Sequence, residues 1–249
     1  MCRMFGLRGD IEFAKNITNA LVKAAAHDSF SKGKVAHKDG WGAAVYADSR
    51  EVYMRSARPI FEDPEAQAIY SDMPGGVVCI SHARLAAPKE PVRGPIDSHP
   101  FRTSIAGSIV YLSHNGWVDK HKLAPSLGLD ADNMNDTEVL LYAIAAQSGS
   151  VRQKIEGAVN NVVRESAMLG ALNLIVLELD HSGSRNVYFY CDYPKDRDPL
   201  YYDLYCYAGP KGRAVMSSTV AYEAGLIDQS GQPLSPDVKR AEKRVLGEI

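Results

Sequence analysis

The feature that most limits what this chain can fold into is the way its apolar period changes along the sequence. Met4 to Leu7 is a short apolar run closed by Arg8-Gly9-Asp10, and from Ile11 to Ser29 apolar residues then recur at helical spacing. Ile11, Ala14, Ile17, Leu21, Ala24 and Ala25 fall on one face, with Asp10 placed as the N-cap, so a strand followed by an amphipathic helix is predicted. From Gly42 to Arg55, β-branched and aromatic residues flank Asp48-Ser49-Arg50, the pattern of a hairpin. A short helix is predicted over Pro64 to Met73 and a Val- and Ile-rich strand over Gly76 to Ala83. The segment Ala86 to Pro100 holds four prolines and cannot be a regular element. Loops of that length usually carry function.

Beyond this loop the spacing predicts a strand over Ile105 to Ser113 and a short helix over Asp119 to Leu127. Asn135-Asp136-Thr137-Glu138 opens a longer helix through Ile144, and another runs from Val151 to Met168. Leu172 to Leu179, Asn186 to Cys191, Tyr201 to Ala208 and Arg213 to Ser218 read as successive strands, with turns at Ser182-Gly183 and Gly209-Pro210. Lys239 to Arg244 reads as a charged helical tail. Sheets layered against helices in one domain, residues 1–249, of the α+β class, are the expectation.

Composition narrows the functional classes. Of the 249 residues, 45% are hydrophobic, enough for a sizeable core. Twenty-eight Lys and Arg against thirty Asp and Glu leave a net charge of −2, which gives no electrostatic footprint for nucleic acid or an anionic membrane. No apolar stretch approaches the ~20 residues of a membrane span, and the N-terminus has no apolar signal region, so a cytoplasmic location is expected. Four cysteines, at 2, 79, 191 and 206, form no C-x-x-C pair and read as separate thiols. No P-loop, no G-x-G-x-x-G and no metal-ligand spacing occurs, so neither a metal nor a nucleotide cofactor is expected.

Cys2 is the most informative residue. An initiator Met before a small residue is normally removed, which would leave Cys2 with a free α-amine beside its own thiol. An α-amine titrates near ~7.7–8.0 and a thiol near ~8.5, so one residue would hold both nucleophile and base. The bland alternative is a small buried hydrophobe.

Further motifs follow in order: Cys2-Arg-Met-Phe-Gly6, His37-Lys-Asp-Gly-Trp-Gly42, Ser81-His-Ala-Arg84, Ser98-His-Pro-Phe101, His114-Asn-Gly-Trp117 and Asn135-Asp-Thr-Glu138. Together they resemble the class II glutamine amidotransferases, which are N-terminal-nucleophile hydrolases, over Cys2 to about residue 180. The match looks closest to small free-standing members without a fused synthase domain. The resemblance implies a four-layer αββα sandwich of two antiparallel sheets, with Cys2 at the start of a central strand. It implies glutamine as substrate and hydrolysis through a Cys2 γ-glutamyl thioester.

By the same resemblance Asn115 and Gly116 form the oxyanion hole, Arg84 binds the α-carboxylate of glutamine and Asp136 its α-ammonium. His99 would line the pocket, and Asp39 to Gly42, including Trp41 and Gly42, would offer backbone groups from a Gly-rich turn. Each has a plain structural reading beside it. Asn115-Gly116 is also a turn dipeptide, Arg84 a strand-end arginine in an ion pair, Asp136 an N-cap and Trp41 a core residue. After Arg84 this chain reads Leu85-Ala86-Ala87 where fused family members tend to place a hydroxyl-bearing run, so one side-chain contact to glutamine is expected to be missing. A separate synthase subunit is the partner expected to accept the ammonia, and no motif encodes which. Two alternatives stand beside glutamine hydrolysis: hydrolysis of another γ-glutamyl amide, and a non-catalytic glutamine-binding subunit of a synthase.

Overall fold

The computed structural model describes residues 2–48, 50–87 and 90–249. Met1, Ser49, Pro88 and Lys89 lie outside the described residues, and with them the expectation about Met1, the tip of the first hairpin and part of the proline-rich segment.

The chain begins with strand β1 (Arg3–Gly9), helix α1 (Ile11–Ala26) and a hairpin of β2 (Trp41–Ala47) and β3 (Arg50–Ser56). A one-turn helix α2 (Glu65–Ala68) leads to β4 (Val77–Ala83), and the proline-rich loop then leads to the hairpin β5 (Phe101–Ile105) and β6 (Ser108–Val118). Helices α3 (Lys120–Leu123), α4 (Asp136–Ala145) and α5 (Val151–Arg164) precede the hairpin β7 (Met168–Leu179) and β8 (Arg185–Tyr190). The last part holds α6 (Pro199–Tyr202), β9 (Leu204–Gly209), β10 (Gly212–Ser217), α7 (Ser218–Glu223), β11 (Val238–Arg240) and β12 (Gly247–Glu248).

The strands form two antiparallel sheets, one of seven strands in the order β11-β9-β10-β1-β4-β2-β3 and one of five in the order β12-β8-β7-β6-β5. The apolar side chains fall into three layers that follow from strand alternation. Phe5 and Leu7 of β1 face α1 and α7 together with Ile17, Leu21, Val45 and Met216. Met4 of the same strand faces the second sheet with Ile80, Tyr111, Ile175 and Val215. On the far side Val110, Leu112 and Val176 pack under α4 and α5 through Leu140 and Ile155. This is a helix–sheet–sheet–helix sandwich. β1 and β4 are buried on both faces, which is why they read as unbroken apolar runs rather than as alternation.

Asp10 caps α1 by accepting from the Phe13 N–H, and Ser150 with Gln153 forms a capping box on α5. Several boundaries differ from expectation. The predicted strand Ile105 to Ser113 is half of a hairpin, turned by Ala106 and Gly107, both at positive φ, and its second strand runs on to Val118. Asn115 and Gly116 therefore lie within a strand, at its irregular end, and not in a turn after it. The helix predicted to reach Met168 stops at Arg164, because β7 begins at Met168. α1 stops at Ala26 rather than Ser29, and the predicted helix over Pro64 to Met73 is limited to Glu65–Ala68. Tyr201 belongs to a short helix and the strand starts at Leu204.

The charged tail is not helical. Val238–Arg240 pairs with β9, Arg240 lies over the Tyr205 ring and Arg244 reaches Asp192, so cross-strand and tertiary partners override the helical charge pattern. No helix of the described residues is long and apolar enough to cross a membrane.

Candidate active site

Cys2 precedes β1, between β4 and β10, at the end of the larger sheet where the proline-rich loop begins. Arg3 pairs with Ala83 of β4, so Cys2 and Arg84 are the next residues along two adjoining strands. Alternation sends Cys2 and Met4 to the space between the sheets and Arg3 to the helix layer. The Cys2 side chain is buried, with its Sγ 3.5 Å from the Leu85 carbonyl and 3.4 Å from the Leu85 N–H. Burial pushes the thiol up from its ordinary value; Arg84 pulls it down and Asp136 pushes it further up. The resting thiol is therefore protonated at neutral pH, and a nucleophilic role would require a base.

Arg84, on the adjoining strand, and Asp136 are both near enough to Cys2 to act on its thiol electrostatically. Arg84 is buried. Its backbone is fixed by bonds to Gly40 and Asp39, its Nη2 donates to the Pro91 carbonyl at 2.7 Å, and its Nη1 has no hydrogen-bond partner. Among the described residues no carboxylate pairs with it. Asp136 opens α4 while Asn135 serves as the N-cap, accepting from the Thr137 N–H. The carboxylate of Asp136 accepts from the Val118 N–H at 3.1 Å and the Thr137 N–H at 2.8 Å, with His114 Nδ1 at 3.7 Å.

Asn115 is opposite Asn173 on the β6–β7 ladder, and both face the space between the sheets. Asn173 donates to the Tyr202 carbonyl, whereas Oδ1 of Asn115 and Oδ1 of Asn173 are buried without partners. The ladder shifts register between Gly116 and Val118. At Gly116 an added Cβ would lie 1.8 Å from the Ala171 carbonyl oxygen and 2.2 Å from His114 Nε2, so only glycine fits this crossing.

His99 is brought close but not into the open. Its ring stacks on His82 at 4.0 Å between centroids, and its Nε2 is 2.8 Å from Thr137 Oγ1, which in turn donates to Asp136. Burial, then the neighbouring His82 and Arg84, holds His99 well below the ordinary imidazole range, so it is neutral. Gly42 lets this segment approach: a Cβ there would meet the His99 carbonyl oxygen at 2.5 Å. Trp41 points the other way, into the core under α1, where its indole N–H donates to Asp63 at 2.9 Å. Its side chain is the core residue that one of the two readings gave it.

Other residues here were assigned no role by the sequence reading. Glu90, on the proline-rich loop, accepts from the Asp136 N–H at 3.2 Å and lies 3.4 Å from Lys120, which ties the loop to the start of α4. Thr137 joins His99, His114 and Asp136. Behind Cys2, Arg3 meets Asp28, which also holds His37, and all three are wholly buried. Asp28 sits in an irregular segment just beyond α1, where the spacing predicted the end of the helix. No group of three or more His, Cys, Asp or Glu side chains among the described residues is placed to hold a metal ion.

Two antiparallel sheets between helical layers, with a cysteine at the head of a central strand, define the N-terminal-nucleophile hydrolase architecture. The family model of the class-II glutamine amidotransferases matches residues 1–200, and the chain belongs to that family. In fold the chain is similar to glutamine phosphoribosylpyrophosphate amidotransferase from B. subtilis complexed with ADP and GMP, at 15% identity and a TM-score of 0.63, covering 100% of this chain and 49% of that one. It is likewise similar to a structure described as the allosteric regulatory enzyme of purine biosynthesis, at 17% identity and a TM-score of 0.65, covering 100% of this chain and 48% of that one. The chain thus spans about half the length of either, and at these identities the likeness is one of fold. No curated protein matches the chain by sequence.

Proposed function

We propose that this amidotransferase hydrolyses the side-chain amide of glutamine through a thioester on Cys2, releasing ammonia and glutamate. The observation that carries the reading is the placement of two buried opposite charges, Arg84 and Asp136, around one buried thiol, with neither charge paired to the other. An α-amino acid offers the complement: a carboxylate for Arg84, whose free Nη1 can complete a bidentate grip, and an ammonium for Asp136. Buried charges gain most from such partners, since water does not compete.

In the proposed reaction Met1 has been removed and the α-amine of Cys2 takes the thiol proton. Sγ attacks the amide carbon, and the oxyanion is held by the Asn115 side-chain amide and the Gly116 N–H. The C–N bond breaks, the amine returns its proton to the departing ammonia, and water then cleaves the thioester to give glutamate and the free thiol. In this scheme the neutral His99 and Thr137 orient Asp136 from behind, and backbone groups near Gly42 border the pocket. Residues 201–249 add β9, β10, β11 and α7 to the same layers as β1, which supports one glutaminase domain over 1–249. In this reading a separate synthase partner takes up the ammonia.

A second substrate class has one observation in its favour. The backbone of Leu85, not a side-chain hydroxyl, meets the thiol, and Leu85-Ala86-Ala87 supplies no hydroxyl beside it. γ-Glutamyl amides with larger leaving groups share the same head group and are accepted on this reading if the space beyond the amide nitrogen is open.

The test is the intact mass of the protein before and after exposure to 6-diazo-5-oxo-norleucine, with glutamine as competitor. Loss of Met1 and one glutamine-protectable adduct on Cys2 is expected. Retained Met1 with no adduct sinks the mechanism and favours a binding role. Turnover of glutamine against γ-glutamyl amides ranks the two substrate classes.

A further inference from the structure

The residue after the nucleophile leads to a second polar cluster, on the opposite face of β1 from Arg84 and Asp136. Arg3 is wholly buried, and its Nη1 donates to the carbonyl of Cys2 at 2.9 Å. Its guanidinium lies 4.0 Å from the centre of the Tyr201 ring, and its Nη2 is 2.6 Å from Asp28 Oδ2. That contact is close but off the N–H direction, so charge and stacking fix the guanidinium more than an aligned hydrogen bond does.

Asp28 is held from three further sides. His37 Nε2 is 2.8 Å from its Oδ2, and the Thr219 hydroxyl donates to its Oδ1 at 2.6 Å, as does the Phe30 N–H at 3.2 Å. Burial lowers His37 to about 4, so it is neutral near pH 7 and donates from Nε2. Burial works against the charge on Asp28, but Arg3, His37 and Thr219 outweigh it and keep it ionised. The cluster spans the segment after α1 and the first turn of α7, and it ends on the backbone of the nucleophile.

Stability alone gives a weak reason for such a cluster, since a buried ion pair is often no better than apolar packing of the same volume. What apolar packing cannot supply is a donor to the Cys2 carbonyl. That carbonyl plane fixes Cα of Cys2 and the Cα–C axis about which the amine and the thiol both swing. A shift of about 1 Å in a reacting group costs on the order of 10²-fold in rate.

We propose that Arg3 is a positioning residue for the nucleophile, with Asp28 fixing the guanidinium and Nη1 fixing the Cys2 carbonyl. The proposal rests on the reading of Cys2 as nucleophile. Arg3 touches no substrate on this view, and its loss acts on kcat and leaves KM nearly unchanged. Lysine is a poor substitute because a single ammonium cannot serve the Cys2 carbonyl, Asp28 and the Tyr201 face together.

The experiment compares the full-length wild type with Arg3→Lys, Arg3→Met/Asp28→Asn and Thr219→Val. The double variant removes both charges, so no uncompensated ion is left to unfold the protein. Thr219→Val loosens Asp28 from its far end with Arg3 intact. Glutamine turnover, Cys2 alkylation by iodoacetamide and melting temperature are read for each. In the double variant kcat is expected to fall on the order of 10²-fold with KM within about threefold. Arg3→Lys should recover less than tenfold of that loss, and Thr219→Val should lose about three- to tenfold.

A double variant that melts like wild type and keeps kcat and the alkylation rate within twofold overturns the proposal. So does a set in which only the melting temperature moves. If the wild type neither hydrolyses glutamine nor takes a glutamine-protectable adduct, the parent reading fails, and the alkylation rate alone then decides. A rate altered tenfold in the double variant keeps Arg3 as the residue that sets Cys2, and an unaltered rate removes it. Should the double variant not fold, Thr219→Val decides by the same criteria.

Discussion

Cys2 and Arg3 are neighbours in sequence and lie on opposite faces of the same chain segment, yet the two faces treat buried charge in opposite ways. On the helix-facing side Arg3 and Asp28 neutralise each other at 2.6 Å, with His37 and Thr219 completing the carboxylate. On the side of Cys2, Arg84 and Asp136 are held apart, each tethered to backbone, and Nη1 of Arg84 and Oδ1 of Asn115 are left without partners. Buried polar groups are normally satisfied. A pair of unlike charges kept separate inside a protein is a cost to the fold that a zwitterionic ligand can offset. The first face reads as a support for Cys2, the second as a candidate binding site.

The largest effect that sharpens this contrast is at the nucleophile. Cys2→Ala is expected to lower glutamine turnover by at least ~10⁴-fold while leaving thermal stability close to wild type; an active, folded variant would break the mechanism. Substituting the same type of residue on the two faces comes next. Asp28→Asn leaves Arg3 as a buried uncompensated charge and should lose roughly 3–5 kcal/mol of stability by urea denaturation, an effect Asp136→Asn should not share. Asn115→Ala should then reduce kcat by ~10²–10³-fold with a normal melting curve, as expected for one lost oxyanion donor.

A pH titration separates the faces in another way. Because the folded-state value of His37 is depressed, to about 4, the unfolded chain binds the proton first. Its contribution is fully present above the ordinary imidazole value of ~6.5 and is lost as pH falls from there toward 4, about 2–3 kcal/mol by pH 4.5. Urea midpoints at pH 7.5 and 4.5 measure it, and in His37→Gln that part of the slope should vanish. His82, His99 and His114 are pushed down by burial as well and add to the slope in the same direction. The smallest effect is on binding. Arg84→Met and Asp136→Asn should each raise KM for glutamine about 10- to 100-fold, the worth of one charge-assisted hydrogen bond, with Cys2 alkylation by iodoacetamide preserved. A fall in kcat at unchanged KM would assign those residues to the chemistry rather than to the head group.

Much of this was legible from local pattern. The helix over α1 and its Asp10 cap follow from the 3.6 period, and β1 and β4 from their apolar runs. The motif order picked out Cys2, Arg84, Asn115, Gly116 and Asp136, and the fold brings Arg84 and Asp136 to Cys2. The hairpin at Ala106-Gly107 was missed because the strand Phe101–Ile105 has apolar residues only at its two ends, too few to show alternation. The tail at 239–244 was misjudged because Arg240, Lys243 and Arg244 find partners on β9 and in the segment after β8 and not along a helix.

What the sequence alone determined is therefore most of the helices and strands and the candidate residues around Cys2, since spacing, capping and motif order are all local to the chain. What only the tertiary structure decided is which side of each strand a residue serves and what lies behind it. Trp41 went to the core and Gly42 to the site because neighbours on a strand face opposite ways and the sandwich assigns one face to each. The link from Thr219 through Asp28 and Arg3 to Cys2 spans almost the whole chain. No local pattern can encode it, because burial and charge pairing arise only when distant segments pack together.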